Sequence, residues 1–453
     1  MSNVISELTT KGERFSYAAY FLGQNIFYTI ITTYLMLYYT DYFGISAVAV
    51  GTLFFIARIW DAINDPIMGA IIDKVKLRGG KFKPWVNLGI FSMPISTALI
   101  FIQFDGPMHT KILYAYLTYI LWDILYTMSD VPIYALSTVI TKDVNDRVKV
   151  IALSRVMAFI GTLLATVATI PIIQKIGWTP GVLFLCALGM ITMIPVKYKT
   201  HERVKDTSPS TPTFKELLSF LLHNKYLLIF NCALIVCSLT NTLMPSLSYF
   251  VKYNLGDENL ISLVTLVAML PSLIIPILLP RLVKKFGKKK ILLFSIVFFV
   301  ATSILSYLIG YDNFIAVLII TALRGLGFSV PPIITGMFTV DCVEYGAYTS
   351  GHRFEGISFS AQTFTAKITS ALQGATGSFL LAYYGYQANS VQSKHTLDGI
   401  FKMFTIVPVI GFILMFLIIL FFYKLKESEV EAMMARTIHS ISEEAALSRN
   451  DTN

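Results

Sequence analysis

Two short stretches of this chain place ionisable side chains where apolar ones would be expected. Residues 54–73 are mostly apolar, yet Arg58, Asp61, Asn64 and Asp65 fall within eight positions of one another. In an α-helix, residues three and four apart are neighbours. Asp61, Asn64 and Asp65 therefore share a face, with Arg58 about a turn before Asp61. Two carboxylates in a poorly solvated site cannot both ionise without compensation. A proton or a hard cation has to supply it. Carboxylate and amide oxygens suit Na+ or Li+, and they suit equally a proton shared between the acids. The plainer alternative, a structural pair with Arg58, accounts for one acid only.

The second stretch is "LWDILYTMSDVPIYAL", residues 121–136. Asp123, Thr127 and Asp130 recur at helical spacing and line one face. Thr127 offers a hydroxyl to an ion held on a neighbouring helix. Asp130 precedes Pro132, a local break of the kind tolerated at membrane depth where backbone lines a cavity. A carboxylate accepts two sugar hydroxyls, and Tyr126 or Tyr134 can stack on the apolar face of the ring. The alternative is that Asp130 only pairs with Arg155 or Lys367. Asp123 stands about two turns away, towards the mouth of such a site. Gln24 and Asn25 are neutral hydrogen-bonding groups in the first apolar segment, suited to hydroxyls or to bonds between helices. Arg155 and Lys367 add positive charge, and Gln362, Thr363 and Lys367 face roughly one way. Arg324 is expected near a helix end or in a structural pair.

The elements that must position these residues are membrane helices. The 453 residues are 55% hydrophobic and only 14% charged, with a mean hydropathy of +0.66. Soluble domains are nearer 25% charged. An ionisable group at the bilayer centre costs about 2.5–3.5 kcal/mol on insertion scales, so those above persist only by facing a cavity, pairing or binding an ion. Twelve apolar segments can be read, at 15–40, 46–72, 86–104, 110–140, 150–175, 179–197, 226–252, 259–282, 290–310, 313–340, 355–386 and 401–424. An all-α membrane protein of twelve transmembrane helices in two six-helix bundles is expected. The first bundle spans 1–197 and the second 226–424, joined by a central loop at 198–225 and followed by a tail at 425–453. "LLSFLLHN" in the central loop and the tail both read as amphipathic helix. The even-numbered connections are basic, which places them and both termini in the cytoplasm by the positive-inside rule. That rule also accounts for the net charge of +9 without a nucleic-acid partner. The first twenty residues lack the pattern of a cleaved signal peptide. Cys186, Cys232, Cys237 and Cys342 are scattered with no zinc or disulfide spacing, and Cys342 is expected where a cytoplasmic loop begins. A basic, glycine-punctuated loop follows the second helix of each half: "IIDKVKLRGGKFK" and "PRLVKKFGKKK". Such an echo fits parallel repeats.

The motifs "YYTDYFGIS", "GTLFFIARIWDAINDPIMGAIIDK", "GGKFKPW", "YTMSDVPIYAL" and "DCVEYGAYTSGHRFEG" with "SAQTFTAK" resemble the glycoside–pentoside–hexuronide:cation symporter family (melibiose permease-like), within the major facilitator superfamily. The resemblance spans nearly the whole chain. It implies the major facilitator fold and a cation site made of Asp61, Asn64, Asp65 and Thr127, the set seen where Na+ is the coupling ion, with H+ or Li+ as other family choices. It also implies sugar contacts from Asp130, Tyr134, Arg155 and Lys367, with Gln362 and Thr363 nearby. Gln24–Asn25 stands where the best-known members carry a Lys–Asp pair, so the site is less negative. Uncharged β-glycosides, xylosides and anionic hexuronides become admissible. Pro332 replaces an aromatic side chain.

The resulting expectation is a cation-coupled symporter importing a sugar or glycoside across the cell membrane, acting as a monomer without a cofactor. An inner gate is expected where Asp73 or Asp341 pairs with Arg353. The rival readings are a facilitator or exporter for another organic solute, or a sugar sensor that does not transport. No nucleophile–base pair, metal cluster or phosphate loop suggests an enzyme, and no signalling domain is fused.

Overall fold

A computed structural model describes residues 8–203, 224–350, 355–430 and 432–433, apart from single positions 76, 78 and 142. The side chains of Arg58, Asp65, Asp73 and Thr363 lie outside the described part, as do Arg353, all of "LLSFLLHN" but its last residue, and the tail from 434. Among the described residues there are helices and no strands.

Among these residues twelve helices succeed one another. In the first half they are α1 (11–42), α2 (Ala47–Lys74), α3 (Lys83–Ile100), α4 (Met108–Val139), α5 (Val144–Ile176) and α6 (Trp178–Lys199). In the second they are α7 (Lys225–Asn254), α8 (Leu260–Phe286), α9 (Lys288–Ile309), α10 (Phe314–Ser350), α11 (Glu355–Tyr383) and α12 (Lys394–Phe421). Seven of them, α5 to α10 and α12, are long and apolar enough to cross a membrane on length and composition. The helices that carry most of the polar site residues, α1, α2, α4 and α11, are not among those seven.

By contacts the chain falls into two compact units. One comprises Met1–Thr211, Met244–Leu266 and Gly374–Ile400; the other comprises Pro212–Leu243, Val267–Gln373 and Phe401–Asn453. In the first unit α1 packs on α5 and α6, α3 on α4 and α6, and α2 on α4. In the second, α7 packs on α12, α9 on α10 and α12, and α8 on α10. Shifting each helix of the first half by six reproduces the pairs 1·6, 3·4, 3·6 and 2·4, the pattern of a parallel repeat. Small residues permit several of these approaches. A side chain at Gly23 would strike the Gly189 carbonyl between α1 and α6, and one at Gly411 would strike the Cys237 carbonyl between α7 and α12. Membrane helices use glycine this way because backbones must come close for dispersion contacts to hold them.

The two glycine-punctuated loops also share a structural device. The Glu202 carboxylate, just after α6, accepts the backbone N–H groups of Lys81, Phe82 and Lys83 at 2.8, 2.8 and 2.7 Å. Glu427, just after α12, accepts the N–H of Lys288. Each carboxylate caps the start of the third helix of its own half, where unsatisfied N–H groups and the helix dipole favour an anion. Gly80 and Gly287 lie at positive φ, 128° and 86°, directly beside those carboxylates. A Cβ at Gly80 would sit 2.6 Å from Glu202, so both backbone and space require glycine there.

Three expectations need correction. α10 continues to Ser350 rather than stopping near 340, so Cys342 is fully buried within a helix and not at a loop. The hydropathy fades there because Asp341 and Glu344 are polar, but Asp341 is satisfied by Lys288 Nζ at 2.5 Å. Arg324 is not near a helix end. It is about 2% exposed, with its guanidinium 4.5 Å over Phe404 and 5.7 Å over Phe299. Its Nε donates to Ser303 Oγ at 3.0 Å and its NH2 to the Phe404 carbonyl. Aromatic faces and a carbonyl stand in for the expected acid.

At the starting end of α1, Asp146 is buried and accepts both the N–H and the hydroxyl of Thr9 at 2.8 Å, with Arg14 also at 2.8 Å. Burial pushes this carboxyl up, but the Thr9 and Thr141 hydrogen bonds and the Arg14 charge outweigh it and hold it below the usual carboxylate range. A lowered folded-state value stabilises the protein above the unfolded value and is lost as pH falls through the folded one. Purified protein should therefore melt higher than its Asp146→Asn variant at pH 7. The gap should close only as pH falls below about 4. A gap that does not change between pH 7 and pH 3 would refute this role.

Candidate substrate and cation site

α2 and α4 run parallel in the first unit, and two contacts fix their register. The Tyr116 hydroxyl donates to the Ala49 carbonyl at 3.5 Å, and the rings of Phe54 and Tyr119 lie 5.8 Å apart. Both pairs are offset by about 66 positions, and carrying that offset along two helices of equal rise sets Asp61 level with Thr127 and Asn64 level with Asp130. Asp61, Asn64 and Thr127 are each about 3% exposed. The Asn64 amide nitrogen has no hydrogen-bond partner among the described residues, so a buried polar group here awaits one. Asp123 is buried on the same helix as Thr127.

α1 meets α4 on another side. Gln24 Nε2 donates to Asp130 Oδ1 at 2.6 Å. Tyr17 donates to the Ile133 carbonyl at 2.7 Å, and Tyr20 bonds Ser129. Asn25, one residue on from Gln24, turns its amide to the Phe21 carbonyl of its own helix at 2.8 Å. Tyr134 is half-exposed, edge-on to Phe21 at 5.2 Å, and its hydroxyl has Asp130 and Arg155 as electrostatic neighbours. Tyr126 packs 5.6 Å from Tyr28 and stacks on Trp122 at 5.0 Å. The first unit thus brings together Gln24, Asp130, Tyr134 and Arg155 beside an aromatic wall, and Asp61, Asn64 and Thr127 at the same depth. The arrangement offers a carboxylate, an amide, a guanidinium and rings to a polyhydroxylated ligand.

The second unit holds Gln362 and Lys367 on α11. Gln362 Oε1 accepts from Thr339 at 2.7 Å and lines a cavity of about 340 Å³. Sequence reasoning missed several of its companions, Asn241 on α7, Thr335 on α10 and Gln373 on α11. Asn241 had a signal: "SLTNT" interrupts an apolar run just before Pro245.

The family model for MFS/sugar transport proteins matches residues 16–427. The chain belongs to that family, in its glycoside–pentoside–hexuronide:cation symporter branch. This transporter is 31% identical over 452 residues to the isoprimeverose transporter of Lactiplantibacillus pentosus, covering 96% of this chain and 93% of that one. It is 28% identical over 427 residues to the glucuronide carrier protein homolog of Escherichia coli (strain K12), covering 91% and 92%. The crystal structure of the nucleoside transporter NupG shares its fold, with a TM-score of 0.65 at 14% identity, covering 92% of this chain and all of that one. The protein is a membrane-embedded sugar transporter and not an enzyme.

One further cluster of the transporter was also missed. Asp41, in a π-helical turn ending α1, is fully buried against Lys252 Nζ at 2.6 Å. It also accepts the hydroxyls of Tyr253 at 2.5 Å and of Tyr386. Lys252 and Tyr253 lie in the matching π-helical turn that ends α7. Asn389, at a φ of 52°, donates its amide to the Asp41 carbonyl. The signal lay in "YYTD", whose acid ends the first helix of its half as Lys252 ends that of the other.

Proposed function

We propose that the transporter imports a sugar or glycoside, whether a simple glycoside, a pentoside or a hexuronide, together with Na+ or H+, by alternating access. Asp61, Asn64, Asp65 and Thr127 form the cation site. Gln24, Asn25, Asp130, Tyr134, Arg155, Gln362, Thr363 and Lys367 serve the sugar. The observation that supports this reading best is the buried Asp61–Asn64 face level with Thr127, at the depth of a carboxylate, Asp130, that Gln24 holds in place. A cation neutralises the α2 acids and draws α2 against α4, which presents Asp130 to the sugar hydroxyls. Each ligand then tightens the other's binding by the same factor, and the two halves rock about the site. The relatives named for isoprimeverose and glucuronide support sugar-like cargo. Basic even-numbered loops support both termini lying in the cytoplasm.

The test is uptake of labelled glycosides into proteoliposomes under an imposed Na+ gradient, an imposed pH gradient, or neither. Accumulation above equilibrium with one gradient and none without it is the expected result. Equilibration alone under every gradient would overturn the coupling, and no entry of any glycoside would overturn the cargo.

A further inference from the structure

The cavity in the second unit is built from helix faces. Gln362, Thr365, Ala366, Thr369 and Gln373 recur along α11 at the spacing of one helical stripe, and Phe328, Pro331, Pro332 and Thr335 do so along α10. α7 adds Ser238 and Asn241. Here α7 is broken: residues 239–242 leave the helix between Ser238 and Leu243. Irregular backbone at membrane depth is tolerated only where it is buried in protein or lines a cavity, and discontinuous helices in transporters mark substrate sites. Asn241 sits inside that break, about 7% exposed, and its Oδ1 has no hydrogen-bond partner among the described residues.

The polarity of the lining is specific. The hydroxyls of Ser238, Thr335 and Thr369 donate to carbonyls of their own helices at 2.6, 2.7 and 2.8 Å. Their protons are committed and their lone pairs remain. With the Asn241 oxygen they present acceptors, while the amide nitrogens of Gln362, whose oxygen Thr339 already occupies, and of Gln373 present donors, so the cavity suits an occupant whose groups both donate and accept. The lining residues carry no formal charge, so the occupant is neutral there. The lining also holds an apolar surface, with the Phe328 and Phe412 rings 6.2 Å apart and Pro331 and Pro332 on the α10 stripe. Hydroxyls on one edge and C–H groups on a face describe a sugar ring. The volume, about 340 Å³, lies in the lower part of the about 300–1,000 Å³ range of ligand sites.

We propose that this cavity is the subsite for a second, uncharged ring of the transported glycoside, and that Asn241 is its selectivity-determining contact. The proposal rests on the sugar-transport reading above. Gln362, which lines the same cavity, then serves the second ring.

The test compares pairs of probes that share a terminal ring: a methyl glycoside and the corresponding disaccharide, ending in xylose, galactose or glucuronate. Binding to the purified full-length transporter is measured calorimetrically in Na+ buffer. In wild type, at least one disaccharide binds more tightly than its methyl partner. Asn241→Ala lowers that preference about tenfold, the scale of one buried hydrogen bond, while leaving the methyl glycoside nearly unchanged. Thr335→Val, on a different helix and nearly isosteric, lowers it by about threefold. The preference is a ratio, so a partly unfolded sample does not move it. A preference unaltered in both variants overturns the subsite and leaves sugar transport standing, as does equal weakening of both members of a pair. A wild-type protein that binds no probe of any pair overturns both.

Discussion

Asp61→Asn is expected to abolish gradient-driven accumulation while leaving the protein folded and in the membrane. The reason is electrostatic. At about 4 Å and an effective dielectric constant near 20, one carboxylate is worth about 4 kcal/mol to a monovalent cation, roughly a thousandfold in affinity. Asp61 is almost fully buried, so water cannot replace what the substitution removes. Asparagine keeps the shape and one oxygen, which separates loss of charge from loss of packing. Counterflow of sugar between equal concentrations needs no gradient and should survive at a reduced rate. Accumulation at the wild-type level in Asp61→Asn or Asp61→Cys vesicles would remove Asp61 from the cation site. Loss of counterflow together with loss of the folded protein would instead show a structural role.

Asp130→Asn is expected to have the second largest effect, and to have it on the other ligand. A hydrogen bond to a charged group contributes about 1.5–3 kcal/mol, and Asp130 can accept two from a sugar. The substitution should weaken sugar binding by about a hundredfold or more, with cation affinity within a few-fold of wild type. Gln24 makes the contrast sharper. Its amide already donates to Asp130 at 2.6 Å. That bond can persist to an asparagine oxygen, so the helices stay in register while the charge is lost. Titration of Na+ into the variant, followed by sugar in saturating Na+, measures both. Sugar affinity equal to wild type would exclude Asp130 from the site.

Much of this was legible in the sequence. The α2 face could be read because helical spacing alone aligns Asp61 with Asn64, and charges in an apolar run have few explanations. The twelve helices followed from hydropathy. What escaped reading depended on partners distant in the chain. Gln24 and Asn25 are adjacent and similar, yet neighbours in a helix point about 100° apart; one reaches Asp130 and the other its own backbone. The last turns of α10 looked like loop because Asp341 is charged, and Lys288, on another helix, makes its burial tolerable. Arg324 looked as though it needed an acid and found two rings instead. Asn241 went unread inside the apolar segment 226–252, because hydropathy averaged over a span hides a break of four residues.

The Asp41 cluster has a consequence for how the protein is made. Its carboxylate emerges with the first helix, but Lys252 follows 211 residues later and Tyr386 follows 345 residues later. At about 5–20 residues per second, the acid waits roughly 17–70 s for its last hydroxyl. During that interval the first six helices can already pack through α1, α5 and α6, whose contacts lie wholly within them. That end of α1 is completed late, by residues that follow α11 and precede only α12 and the tail. A nascent chain arrested before residue 386 should carry Asp41 still incompletely bonded, so that end of the molecule closes around its acid only once α11 and the residues after it have been made.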